Sequence, residues 1–209
     1  MLDKKELERY SRQIKLNTVG EAGQLRLKSA KVTCIGAGAL GNTVLQSLVA
    51  AGVGHITVID EDQIERSNLA RQPLFSEEDI GRDKVEVLVE KLSKQNPHVN
   101  MVPIKDALTV SNAKAYLKEA DCVIDCTDRF NVKYIINAIC QEEGLPLVMA
   151  SILRSKGYCT LIVPGQENPC YRCLFPSASL SAGSCTQEGV LSPVPALLAS
   201  MQACLVVQQ

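Results

Sequence analysis

The apolar positions of this chain alternate between two periods. Lys31-Val32-Thr33-Cys34-Ile35 and His55-Ile56-Thr57-Val58-Ile59 are short strand-like runs. Between them Leu40, Val44, Leu45, Leu48 and Val49 recur at the spacing that puts them on one face of a helix, which stops at Gly52-Val53-Gly54. The alternation continues downstream. Val85, Leu88, Val89 and Leu92 predict a helix ending before Asn96-Pro97. Residues 101–105 predict a strand near a sheet edge, because Pro103 has no N–H to give a ladder. Residues 111–119 predict a short helix, 122–126 a buried parallel strand, 130–143 a helix and 147–152 a strand. Residues 3–16 predict an opening helix, and 61–82 are irregular. Strands alternating with helices predict the α/β class, with a Rossmann-like, doubly wound, mainly parallel sheet.

After Gly157 the pattern changes. Residues 158–163 predict one more strand, 164–193 are rich in Pro, Gly, Ser and Cys, and 194–209 predict an apolar terminal helix. One nucleotide-binding domain is therefore expected over 1–209: a helical segment to residue 28, a core over 29–156, and an irregular and β extension from 157.

Composition narrows the classes. With 46% hydrophobic and 22% charged residues the chain reads as globular. A formal net charge of -1 argues against non-specific attraction to nucleic acid or to a membrane surface. No apolar run is long enough to span a bilayer, and Met1-Leu2-Asp3-Lys4-Lys5 does not open a signal peptide. The nine cysteines are scattered through predicted elements instead of forming a compact framework, so a reducing, cytoplasmic setting is expected.

The first strand feeds directly into Gly36-Ala37-Gly38-Ala39-Leu40-Gly41. A G-x-G-x-x-G between strand and helix turns the backbone tightly and aims free helix N–H groups at a phosphate. Asp60 closes the second strand, where a carboxylate can accept hydrogen bonds from ribose hydroxyls. Together these point to an adenosine nucleotide, and the loop alone leaves a redox dinucleotide and ATP both open. The residues that discriminate follow. Ser67-Asn68-Leu69-Ala70-Arg71-Gln72, Lys84 and the pair Asp125 and Asp128 lie downstream, and of these Arg71, Lys84 and Asp128, which follows a central strand, can converge on the crevice at the carboxyl ends of the strands. Two cations and a carboxylate around a nucleotide suit a triphosphate with Mg²⁺ better than a nicotinamide. Taken singly, Lys84 reads equally as a solvated helix-start lysine and Arg71 as a surface ion pair.

Arg9-Tyr10-Ser11-Arg12-Gln13, the glycine loop, Asp60, Ser67-Asn68-Leu69-x-Arg71-Gln72, Gly81-x-x-Lys84, Asp125-Cys126-Thr127-Asp128 and Pro169-Cys170-Tyr171-Arg172-Cys173 together resemble the ThiF/MoeB/HesA family, bacterial relatives of the ubiquitin-activating enzymes. The resemblance runs from about Glu8 to the C-terminus. It implies an ATP-dependent adenylyltransferase. The C-terminal Gly-Gly carboxylate of a ubiquitin-like sulfur-carrier protein would be joined to AMP with release of pyrophosphate, for sulfur transfer in thiamine or molybdopterin biosynthesis. Carried over, Gly36, Gly38 and Gly41 admit the nucleotide and Asp60 holds the ribose. Asn68, Arg71, Gln72 and Lys84 line the nucleotide, with Asn68, Arg71 and Lys84 on the phosphates, and Asp128 helps to hold Mg²⁺. Arg12 would reach the phosphates of a neighbouring subunit, which implies a homodimer. Residues 157–209 would be part of the carrier-binding region.

The resemblance also implies zinc. Cys170-x-x-Cys173 has ligand spacing, but a structural site takes four ligands, and the family's second C-x-x-C does not occur before Gln209. Cys185 and Cys204 lie nearby without forming a matched pair, and a redox role or plain thiols remain alternative readings of Cys170 and Cys173. Cys185 falls where some members keep a cysteine used in sulfur transfer, which brings in a sulfur-donor protein as a second partner. It reads equally as a loop thiol. Cys34, Cys122, Cys126 and Cys140 read as small core residues. Arg129 and Lys133 stand where the family usually has Asn and Arg, Tyr158 where Gln is frequent, and Leu205 where an acid is common. The first two change the metal and nucleotide environment, the last two the carrier-facing side. Two other readings compete: a shortened, non-catalytic relative that binds nucleotide or carrier, and a nicotinamide-dependent oxidoreductase. The latter leaves Arg71, Lys84 and Asp128 without a shared purpose.

Overall fold

The structure, a computed structural model, describes residues 1–165, 167–176 and 189–209. Its elements are α1 (Lys4–Arg9), α2 (Ser11–Ile14), α3 (Gly20–Ser29), β1 (Lys31–Ile35), α4 (Ala39–Ala51), β2 (His55–Ile59), α5 (Lys84–Gln95) and β3 (Asn100–Ile104). They continue with α6 (Ala113–Leu117), β4 (Cys122–Asp125), α7 (Phe130–Glu143), β5 (Leu147–Leu153), β6 (Lys156–Ile162), α8 (Tyr171–Leu174) and α9 (Pro193–Val207).

The strands form one sheet in the order β3-β2-β1-β4-β5-β6. All neighbours are parallel except β5 and β6, which pair antiparallel from Leu147↔Ile162 to Leu153↔Lys156. This is the expected doubly wound class. The order reverses direction at β1 and β4, and such a reversal opens a crevice at the carboxyl ends of the strands. β3 lies at the edge, as Pro103 required.

Alternation within the strands sorts side chains onto two cores. Val32 and Cys34 of β1, Cys122 and Ile124 of β4, and Val148 and Ala150 of β5 face the helices α4, α5 and α9. Ile35, Val123, Leu147 and Met149 face α6, α7 and α8. Because both faces are covered, the central strands carry nearly continuous apolar runs. Helix α4 buries Leu40, Val44, Leu45, Leu48 and Val49, the stripe read from the sequence. It ends on Gly52 in the left-handed conformation (φ 84°), whose missing Cβ also makes room for the Tyr10 ring. Helix α9 contains no charged residue and packs across α4 and against β5 and β6.

Two expectations need correction. The opening helix is not continuous over 3–16 but breaks at Tyr10 into α1 and α2. Tyr10 is buried and its hydroxyl accepts a hydrogen bond from the Asn96 side chain at 2.9 Å, so tertiary packing overrides local helix propensity there. Helix α6 is shorter than 111–119: it begins only after Asn112, whose side chain is held in the preceding loop, donating to the Ala107 carbonyl and the Asp106 carboxylate and accepting from the Thr109 N–H. A further helix, α3, lies within the helical segment expected before β1 and buries Gln24 and Leu27. None of the helices described is long and apolar enough to cross a membrane.

Candidate active site

Three turns meet at the crevice. The first follows β1. Gly36 has φ 101°, and a Cβ there would lie 2.8 Å from the Cys126 carbonyl oxygen, while a Cβ on Gly41 would sit 2.1 Å from the Gly36 carbonyl oxygen. Those two glycines are demanded by the protein's own packing. Gly38 is different: a Cβ there would meet only the Gln72 amide nitrogen, at 3.9 Å. The space in front of Gly38 is open, as a loop that receives a phosphate requires.

The second turn follows β2. One carboxylate oxygen of Asp60 accepts from the Ala37 N–H at 2.6 Å and the other from the Asp62 N–H at 2.8 Å. The acid therefore ties the strand end to the glycine loop. Burial pushes its carboxyl up from the ordinary value, against the opposing pull of Lys84 and these backbone donors. From the irregular segment come Asn68 and Gln72, both buried, and Arg71, half-buried, whose guanidinium donates to the Ser67 carbonyl at 2.8 Å. Lys84 opens α5 with its side chain only 7% exposed and paired to Asp62 at 2.7 Å. It is thus not the solvated lysine of the plainer reading.

The third turn follows β4. Asp125 is fully buried, with one oxygen accepting from the Thr127 N–H and hydroxyl and the other held by Lys133 at 3.0 Å. The turn projects Asp128 outward: it is exposed and lines the crevice, while Asp125 is structural.

These turns enclose a cavity of 1260 Å³ that brings together Gly36, Gly38, Asp60, Asn68, Arg71, Gln72, Lys84 and Asp128. Among the described residues the Gln72 amide oxygen is buried without a hydrogen-bond partner. An unmet buried acceptor costs about 1–3 kcal/mol, which a hydroxyl or amino donor of a bound nucleotide would offset. The Asp128 carboxylate makes no hydrogen bond or ion pair with the described residues, and as an exposed oxygen donor it suits Mg²⁺.

Other expected residues lie elsewhere. Arg12 is exposed on α2, outside the cavity lining of its own chain. Cys170 and Cys173 bring their sulfurs within 3.6 Å of each other, but no group of three potential ligands among the described residues includes them. Cys204 is exposed on α9 beside Cys159, at a separate surface hollow. Cys185 lies outside the described residues. Cys34, Cys122, Cys126 and Cys140 are buried, as read from the sequence.

Two residues that shape the site escaped the sequence reading. Asn42, fully buried, donates to the Ala37 and Gly38 carbonyls and accepts from the Leu74 N–H, so it fastens the glycine loop to the segment carrying Arg71. Gln202, fully buried on α9, donates to the Asp125 carbonyl at 3.0 Å and accepts from the Cys126 thiol. The signal for each was an uncharged amide within an apolar helix, which needs partners once buried.

A Rossmann-type nucleotide crevice lined by cations and a free carboxylate defines a nucleotide-dependent transferase better than a hydride-transfer enzyme. Comparison with known proteins agrees. The ThiF family model matches residues 10–209, and the chain belongs to the ThiF family. It is 41% identical over 206 residues to the sulfur carrier protein adenylyltransferase of Thermus thermophilus, covering 96% of this chain and 76% of that protein. It is 40% identical over 204 residues to the SAMP-activating enzyme E1 of Haloferax volcanii, covering 97% and 75%. Against the molybdopterin-synthase adenylyltransferase of Escherichia coli it is 37% identical over 202 residues, covering 97% and 81%.

Among solved structures it is similar to E. coli MccB with MccA-N7isoASN, at TM-score 0.85 and 30% identity. That match covers 96% of this chain but only 63% of the MccB chain. MccB with ATP gives TM-score 0.80 at 26% identity, over 100% and 71%. The T. thermophilus protein and the E. coli molybdopterin-synthase relative are adenylyltransferases by name, and the family resemblance read from the motifs is borne out.

Proposed function

We propose that this protein adenylates the C-terminal Gly-Gly carboxylate of a ubiquitin-like sulfur-carrier protein, using ATP. The observation that carries the reading is the single cavity in which the open glycine loop, the ribose-side Asp60, two cations and the free Asp128 carboxylate meet. The names of the relatives supply the substrate class.

In this reading Asp60 accepts the ribose hydroxyls and the N–H groups behind Gly38 face the phosphates. One carboxylate oxygen of the carrier attacks the α-phosphorus. The bridging P–O bond breaks, and pyrophosphate leaves with the electron pair. The nucleophile is already ionised at neutral pH, so no general base is needed. Its obstacle is repulsion between anions, which Arg71 and Lys84 offset by taking the phosphate oxygens, with Asn68 and Gln72 completing the polar lining. Mg²⁺, held by Asp128, would supply further charge neutralisation on the phosphate chain. Arg12, exposed beyond its own cavity, would complete the phosphate site of a second copy in a homodimer. Zinc, if held by Cys170 and Cys173, would have a structural role with two ligands drawn from elsewhere. Cys185 would then serve sulfur transfer from a donor protein. The eight described cysteines are all free thiols, which fits a reducing, cytoplasmic setting.

ATP–pyrophosphate exchange tests the reading, run with and without a small ubiquitin-like protein ending in Gly-Gly. Carrier-dependent exchange is expected, abolished by Arg71→Ala or Asp128→Ala in chains that keep their melting temperature. ATP binding with no exchange on any carrier would instead favour a non-catalytic nucleotide-binding relative.

A further inference from the structure

Arg129 follows Asp128 directly and caps the N-terminus of α7 without a side-chain cap bond. Glu61 follows Asp60. The two residues leave the strands that flank β1 on either side, β4 and β2, and both line the nucleotide cavity. The Arg129 guanidinium donates to the Glu61 carboxylate at 2.6 Å, so the pair joins the two banks of the crevice beside the glycine loop. Its side chains are 56% and 41% exposed. An ion pair so placed is held loosely, because water screens it and both side chains lose rotamer freedom in forming it. Lys84 shows the same arrangement one residue further on, resting on Asp62 at 2.7 Å.

We propose that Arg129 is a further nucleotide-binding residue, held by Glu61 until the nucleotide enters and then transferred to the phosphate chain. This rests on the ATP reading given above. A planar guanidinium prefers the doubly bonding geometry and higher charge of a phosphate chain to one exposed carboxylate. Glu61 is then a competitor of the ligand, not a contributor to binding. The arrangement has a distinctive consequence: the two partners of one ion pair affect affinity in opposite directions.

Isothermal titration of the full chain with ATP and Mg²⁺ tests this on four proteins: wild type, Arg129→Gln, Glu61→Gln and the double variant. Arg129→Gln is expected to raise the Kd for ATP on the order of tenfold. Glu61→Gln is expected to lower it, by up to about fivefold, since that is the scale of an exposed pair. The double variant should match Arg129→Gln alone. Neither side chain is buried, so all four are expected to melt within about 2 °C of one another, as exposed positions do. A pair that merely braces the crevice would weaken binding in both single variants, and that result overturns the proposal. Wild-type affinity in Arg129→Gln overturns it as well, while leaving the ATP reading intact. Failure of the wild type to bind ATP overturns both.

Discussion

Replacing Lys133 by methionine removes a charge from the dry core behind the site while nearly keeping the side-chain volume. Lys133 and Asp125 have side chains 1% and 0% exposed, with Nζ and Oδ2 3.0 Å apart. Lys133 also donates to the Ala150 carbonyl at 3.0 Å. After the substitution Thr127 still serves one oxygen of Asp125, but the other faces apolar surroundings with its cation gone. Breaking a buried pair from one side costs about 3–5 kcal/mol, because the remaining charge has no solvent to stabilise it. For a domain of this size 1 kcal/mol lowers the melting temperature by roughly 2–4 °C, so a fall of about 6–20 °C is expected. Adding Asp125→Asn should recover most of it, since a neutral amide can still accept from Thr127. Scanning calorimetry at pH 7 on wild type, Lys133→Met and the double variant decides the matter. A fall of less than about 3 °C in the single variant would refute the claim that the pair is desolvated. A double variant no better than the single would refute the claim that the stranded charge is the cause.

The glycines divide sharply. Gly38→Ala should leave the melting temperature within about 3 °C of wild type while weakening ATP binding at least tenfold, whereas Gly41→Ala should destabilise the fold outright through its 2.1 Å approach to the Gly36 carbonyl. Unchanged ATP affinity in Gly38→Ala, read by titration, would mean that the open space before the loop is not the phosphate site. Asp79 gives a pH dependence. Burial alone would raise its pKa, but hydrogen bonds from Lys91 and Ser76 prevail and hold it at about 2, below the ordinary 3.8. The folded state is therefore the stronger acid, and this contribution to stability is present above pH 3.8 and lost as pH falls towards 2. Between pH 5 and 2 the wild type should lose more in urea unfolding than Lys91→Met, by up to about 2 kcal/mol because the Ser76 bonds remain, and equal losses would remove the Lys91–Asp79 contact from the account.

The fold was legible where one face of an element had a single period. β1, β2 and the α4 stripe appear where the sequence put them, and α7 spans the expected residues, because their burial follows directly from spacing. Tyr10 and α6 departed from expectation because their local preferences are overruled, by a partner distant in sequence for Tyr10 and by the hydrogen bonds that hold Asn112 in the loop before α6. The site was legible as a set of types, an acid after β2, cations beyond it and a carboxylate after β4. The sequence already placed Asp128, not Asp125, at the crevice, but the burial of Asp125 was not legible: the two are three residues apart, and the turn of the chain sends Asp125 into the core and Asp128 into the crevice.

By itself, then, the sequence determined the strand–loop–helix that approaches a phosphate, the alternation that winds a parallel sheet, and the family. These are local patterns, set by backbone sterics and by the period at which side chains meet water. Tertiary structure alone decided the pairings of Arg129 with Glu61 across the crevice, of Lys84 with Asp62 in its lining and of Lys133 with Asp125 in the core behind it, and the clasp of Gln202 on the Asp125 carbonyl. The energy of a charge or an amide depends on what surrounds it, and those surroundings come from strands and helices that touch only once the chain has folded.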